Sequence, residues 1–508
     1  NYYYFYDRIQ RGEISIDELF DAICRLEIIS IQLNQDDNPQ LIFESLNSTG
    51  LALSEGDKIR NFILMGLPTK QQEDFYEKYW NRIEECTGYD VSSFIRDYLS
   101  VKQSAIPQIS RVYYTFKLYV EDKGIETETL LSDMLKYAKY YQVLRIGNTT
   151  SVALNSCIYR LNRLETAVTR PFFLEVMRLN AENILSLEEV TQIFLTCENY
   201  VFRRLICDLP TNALNKIFLM LHKEIMRYDG SDDQYFEKFK FAMLSKKERV
   251  RFPDDEEFAA AFAAKPMYLM NSKNKHYLFE RLENYGTSED KAVWEHIDRG
   301  DYSIEHIMPQ HLTPAWVEVL GEDYETVHET WLHRIANLTL TAYNSKYSNN
   351  TFIEKRDMQN GFKDSGIRMN QRIAQKESWA LPELQERNTL LQQRALEIWA
   401  APVTTYVAPE KQLDSFTLDD DVEFTGKVIA RFGYKGMEQP VTSWVDMYQQ
   451  VLKLLHSDDK SVLSSLAYTT DDSVELALHV SNTESAFSKC VEIDTGIYIW
   501  TNTSTQYK

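Results

Sequence analysis

Three short segments, in a fixed order, constrain this chain more than anything else in it. They are residues 302–310 (Tyr-Ser-Ile-Glu-His-Ile-Met-Pro-Gln), 333–341 (His-Arg-Ile-Ala-Asn-Leu-Thr-Leu-Thr) and 344–355 (Asn-Ser-Lys-Tyr-Ser-Asn-Asn-Thr-Phe-Ile-Glu-Lys). The first two carry apolar, β-prone runs too short for independent helices, and Pro309 closes the first of them. The third reads as a helix. Five of the nine histidines (His296, His306, His311, His328 and His333) fall between positions 296 and 333. The order is therefore strand, strand, helix, with an acid beside a histidine on the first, an Asn leading the second and side-chain amides on the third.

That order is what a ββα-metal (HNH-type) phosphodiesterase site needs. Hydrolysis of a phosphodiester requires a base within reach of the attacking water, and a neutral imidazole suits the task, which assigns His306. A hard cation, Mg²⁺ or Mn²⁺, takes oxygen ligands, and Glu305, Asn344 and Asn349 offer them. Neighbours on a strand point to opposite faces, so Glu305 and His306 meet at one site only if the strand ends or bends there. Asn337 is expected to brace the loop between the strands through amide bonds to backbone, keeping His306 aimed. Lys346, Lys355 and Arg356 are the expected DNA contacts, within a stretch from Lys346 to Arg372 that holds six basic residues against three acidic ones. His311, His328 and His333 read as surface or scaffold residues, with His333 a weaker candidate base than His306.

The rest of the chain frames this site. Its 508 residues exceed one core, and domains of roughly 100–200 residues imply several units. Residues 1–67 read as helix, strand (from Glu27 to Leu33), then helix, turn and helix, with Ser54 and Asp57 at capping-box spacing. Residues 68–290 show amphipathic helical periodicity, as in Leu130, Met134, Tyr137 and Tyr141, and form a helical domain. Residues 291–400 hold the nuclease region, 401–415 an extended linker, and 416–508 a small α+β domain with a helix near Trp444 to Leu455. The fold class is mostly helical α+β. Net charge is −21, so contact with nucleic acid must be local. Six cysteines are scattered without a CxxC pair and read as reduced thiols. No window has the length of apolar sequence that spans a bilayer and no secretion signal opens the chain, which predicts a cytoplasmic protein. The chain opens without Met and inside a helical pattern, implying a preceding segment.

The segments Ser303-Ile-Glu-His-Ile-Met-Pro-Gln, Arg334-Ile-Ala-Asn-Leu-Thr-Leu and Asn344-Ser-Lys-Tyr-Ser-Asn, with Phe352 and Lys355 downstream, resemble the nuclease half of the GmrSD-type modification-dependent (type IV) restriction endonucleases. Arg251-Phe-Pro-Asp-Asp-Glu-Glu-Phe and Lys275-His-Tyr-Leu-Phe-Glu-Arg-Leu-Glu resemble its helical lead-in, so the likeness covers about 210–400. Leu41 to Leu64 is similar to the end of the family's other half, a ParB-like nucleotide-using domain. The Asp-Gly-Gln-Gln-Arg-type motif of that half is absent from this sequence, so a nucleotide is implied only through a preceding part. The Gly usual before the central Asn is Ala336 here. The segment holding Val441-Thr-Ser-Trp-Val-Asp-Met-Tyr is similar to a small domain at the ends of restriction-related proteins.

The resemblance implies a metal-dependent endonuclease that defends against phage by cutting DNA with modified bases, as a monomer or homo-oligomer. The competing reading is a catalytically silent DNA-binding or sensor subunit that keeps the HNH fold as a scaffold. RNA is a third substrate class, because a basic surface alone does not distinguish the sugars.

Overall fold

In the computed structural model the described residues are 2–27, 53–164, 166–287, 289–409, 415–417, 424, 426–469 and 479–502, the side chains of Tyr2, Asn344 and Ser345 excepted. The chain divides into two compact units, residues 1–408 and 409–508. The protein is mostly helical α+β. No helix among the described residues is long and apolar enough to cross a membrane.

At the start of the first unit, helix Ile16–Cys24 forms with the capping box its sequence encodes, Ser15 and Glu18 bonding reciprocally. Its periodic apolar residues Ile16, Phe20 and Ile23 are nonetheless exposed. Helix Glu55–Leu64 begins at Ser54, whose Oγ accepts from Asp57 N at 3.1 Å, as the spacing predicts. All but the first residue of the strand expected from Glu27 to Leu33, and the first half of the resemblance at 41–64, lie outside the described residues. Between Thr69 and Asn284 all described elements are helical.

Helix α1 (Leu187–Ile206) organises this unit. Ser186 and Glu189 close a capping box at its start, satisfying amides that a helix N-terminus leaves unpaired. Its first turns bury Val190, Ile193, Phe194, Cys197 and Tyr200 in the helical core, at the 3–4-residue spacing of one face. Its last turns bury Phe202 and Ile206 in a second core, shared with Tyr277 of α2 (Ser272–Asn284) and with Trp399. Each such burial stabilises by about 1.5–3 kcal/mol, so one helix ties both cores together.

Polar groups finish the joint. Glu198, fully buried on α1, takes two bonds from Arg160 (2.6 and 2.8 Å) and one from Tyr277 Oη (2.7 Å). Tyr277 in turn accepts from Trp399 Nε1 at 2.8 Å. Guanidinium charge next to Glu198 holds its carboxyl down at about 2 in spite of burial. Residues 401–408, expected as free linker, run along the helical body: Thr404 Oγ1 donates to Glu237 O at 3.1 Å, and Tyr406 packs against Tyr228 and Phe241.

The second core supports a two-stranded antiparallel sheet, β1 (Ser303–His306) with β2 (Leu338–Thr341). After β2 come α4 (Asn344–Tyr347), α5 (Phe352–Asp357) and, past the short helix Arg368–Gln371, α6 (Leu381–Ile398), while α3 (Tyr324–Trp331) lies between the strands.

The second unit holds the hairpin β3 (Arg431–Tyr434) and β4 (Met437–Pro440), helices α7 (Trp444–Asp458) and α8 (Lys460–Tyr468), and a three-stranded antiparallel sheet. In that sheet Ile497–Trp500 sits between Val480–Ser481 and Cys490–Asp494. The helix expected near Trp444 forms.

Candidate active site

The register of the small sheet places Glu305 opposite Thr339 and His306 opposite Leu338. Both faces of β2 are buried: Leu338 and Leu340 lie in the second core, and Thr339 and Thr341 are buried on the other side. The strand pair ends at His306, and Ile307 N adds one more bond, to Asn337 O at 2.9 Å. Asn337 closes a 3₁₀ turn, Ile335–Asn337, immediately before β2.

Beyond His306 the chain has no regular structure, and side chains take over its backbone groups. Asn337, fully buried, accepts from Met308 N at 2.7 Å through Oδ1 and donates through Nδ2 to Met308 O (2.9 Å) and Leu332 O (3.1 Å). Trp379 Nε1 also donates to Oδ1, at 3.3 Å. Lys355 Nζ reaches His306 O (2.9 Å) and Ile307 O (3.2 Å), and His328 Nε2 lies 2.9 Å from Pro309 O. A buried backbone group left unpaired costs about 1–3 kcal/mol, so this segment is held in one conformation.

A further buried cation braces the turn behind it. Arg387, on α6, donates through one nitrogen to the carbonyls of Ile335 (3.3 Å), Ala336 (2.7 Å) and Leu338 (2.8 Å). Burial lowers its pKa to about 9.

The His306 ring is buried, and its Nε2 lies 3.2 Å from His333 Nδ1. Tyr268 meets it edge to face (centroids 4.3 Å apart) and stacks on His333 (5.4 Å, 9° between planes). Burial first, and then positive potential from His333 and Lys355, pushes His306 down to about 3. The ring is thus a neutral imidazole, and the same depression makes it a weaker base than a free histidine. Burial also lowers the half-buried His333.

The expected site residues separate into three groups. His306 and Asn337 are coupled through the 307–309 segment. Glu305, on the opposite side of the pleat from His306, pairs with Lys355 at 2.6 Å, and among the described residues no contact joins the Glu305 and His306 side chains. Burial raises the Glu305 carboxyl and lowers the Lys355 amine. Asn344 opens α4 and its side chain lies outside the described residues, while Asn349 is exposed in the turn after it.

Two of the three expected DNA contacts are corrected. Lys355 is fully buried rather than facing a phosphate, because α5 turns Phe352, Lys355 and Arg356 inward. Arg356 is held by both oxygens of Asp357 and by Glu377 Oε2 and Lys376 O. Lys346 alone of the three is exposed.

Oxygen donors suited to a hard cation are present: Glu305 Oε1 and the carbonyls of His306 and Ile307 surround one point, where Lys355 Nζ sits. Among the described residues no group of three or more His, Cys, Asp or Glu side chains is placed to hold a metal ion. A divalent ion at Glu305 would share the carboxylate with Lys355.

Sequence reasoning missed His333, Tyr268 and His328 as partners of the base and its loop. His333 carried a signal, four residues ahead of Asn337 in the same segment. Tyr268 carried none, since it arrives from a loop before α2.

Residues 252–394 match the family described as GmrSD restriction endonucleases, C-terminal domain. This segment is similar to a GmrSD C-terminal domain. It contains both strands, α2 through α5, most of α6, and the residues His306, His333, Asn337, Lys355 and Arg387 around the base. No curated protein matches the chain. The matched span lies within the first unit. The resemblance noted at 41–64 falls outside the matched span.

Proposed function

We propose that this protein is a metal-dependent DNA endonuclease of antiviral defence, acting in the cytoplasm on modified DNA. The observation that carries the reading is the buried, neutral His306 imidazole at the end of β1, aimed by a loop whose backbone groups Asn337, Lys355 and His328 hold. His306 acts as general base on the attacking water. Asn337 acts through the Met308 backbone, keeping the ring in place. Glu305, Asn344 and Asn349 would hold a divalent cation, Mg²⁺ or Mn²⁺, which when bound stabilises charge on the leaving oxygen. Lys346 contacts phosphate. A homo-oligomer is compatible with the reading.

The test is digestion of plasmid and of base-modified phage DNA by purified protein with and without Mg²⁺ or Mn²⁺. Cleavage that needs the metal and is lost in His306→Ala supports the proposal. Intact DNA in every lane refutes it.

One observation favours a second reading, a DNA-binding sensor that retains the domain as scaffold: the Glu305 carboxylate is already neutralised by Lys355. Binding of DNA without cleavage under the same conditions selects it.

A further inference from the structure

The hydrogen bond between the two imidazoles constrains the base itself, if the nuclease reading holds. A neutral imidazole carries one N–H, and in an Nε2 to Nδ1 pair only one ring donates. Were His333 the donor, the His306 proton would sit on Nδ1 and the ring would offer no lone pair outside the pair. With His306 as donor, Nδ1 holds the lone pair, and this nitrogen has no hydrogen bond to any described residue.

We propose that His333 is a positioning residue for the base: its Nδ1 accepts the Nε2–H of His306, selects the tautomer with the lone pair on Nδ1, and keeps that bond while the ring is charged. As the water oxygen bonds to phosphorus, its proton passes to His306 Nδ1. The bond from phosphorus to the leaving oxygen breaks, and that oxygen departs with the electron pair and is protonated by solvent. His306 then carries one positive charge, its Nε2–H still donated to His333, and releases the Nδ1 proton to solvent.

Three further contacts fix His333 for this task. Its carbonyl accepts from Tyr268 N at 3.2 Å, its ring stacks on the Tyr268 ring, and that ring also abuts His306. Tyr268 is itself held, because Lys275 Nζ donates to its carbonyl at 2.9 Å and lies 4.7 Å over its ring. A neutral acceptor has an advantage over a carboxylate here. It orients the imidazole without adding negative charge where a polyanion must approach.

The experiment uses the full chain, labelled with ¹⁵N-histidine, as wild type, His333→Asn and His333→Leu. Long-range ¹H–¹⁵N spectra read the His306 tautomer, and kcat and KM are measured on plasmid DNA with Mg²⁺. The Nε2–H form is expected in wild type and in His333→Asn, whose amide oxygen still accepts. His333→Leu should lower kcat about 100-fold, the low end of what a positioned general base contributes, with KM nearly unchanged, and His333→Asn should recover most of the loss. A wild-type His306 protonated on Nδ1, or a folded His333→Leu with unaltered kcat, overturns the proposal. Wild-type protein that leaves DNA uncut refutes the nuclease reading instead, and the nitrogen shifts then still decide the hydrogen bond.

Discussion

Lys355 Nζ lies 2.6 Å from Glu305 Oε1 with both side chains withdrawn from solvent, so β1 and α5 are joined by an ion pair inside the domain. The same ammonium holds the carbonyls of His306 and Ile307, which makes the pair part of the support for the base. Removing one partner of such a pair strands a buried charge, whereas removing both does not. Lys355→Met should therefore destabilise the first unit by about 3–5 kcal/mol, and Glu305→Gln with Lys355→Met should recover much of it. Chemical denaturation of the three proteins checks this.

Asn337 spends its whole side chain on Met308, Leu332 and Trp379. In Asn337→Asp the second oxygen faces two carbonyls that it cannot serve as donor. Stability should fall by about 2–3 kcal/mol, and cleavage should fall about 100-fold in protein that remains folded, because the loop carrying His306 loses its brace. Denaturation and digestion of one preparation separate the two effects.

In the helical body, burial pushes the Asp97 carboxyl up to about 7 in spite of Arg170 at 4.0 Å. A folded-state pKa above the unfolded one means that the native protein holds this proton more tightly. The contribution is fully present below about pH 4, the ordinary aspartate value, and is lost as pH rises through 7. Asp97→Asn should match wild type in melting temperature near pH 4 and exceed it above pH 7. Melting curves across that window decide, and an equal offset at both ends contradicts the shift.

Lys346 is the exposed member of the expected DNA-binding trio. Lys346→Ala should weaken DNA binding severalfold and reduce the slope of log affinity against log salt by about 1, as one lost phosphate contact does. Arg356→Ala should leave that slope unchanged, since its guanidinium is committed to Asp357 and Glu377. Salt titrations of binding distinguish them.

The order of strand, strand and helix was legible because the segments carry local signals, β-prone runs and a closing proline, although the one helix expected over 344–355 forms as two, α4 and α5. Asn337 beside the loop was legible for the same reason, since the loop is built from its own neighbourhood in sequence. The fate of Lys355 and Arg356 was not. Both look like surface charge, and only the packing of α5 turned them inward. Tyr268 reaches His306 from 38 positions away. Nothing in its own segment anticipates the encounter, because stacking on a distant imidazole leaves no periodic trace. The helix at Ile16 formed as its caps dictate, yet its apolar face is exposed, so local propensity there did not determine burial.

The central claim is that the His306 imidazole performs the base step of phosphodiester hydrolysis. The most direct measurement is the single-turnover cleavage rate of His306→Ala against wild type, on the same modified DNA with Mg²⁺ and at equal folded fraction. A loss of about 100-fold or more with DNA binding retained is the predicted result. A folded His306→Ala protein that cuts at the wild-type rate would contradict the account.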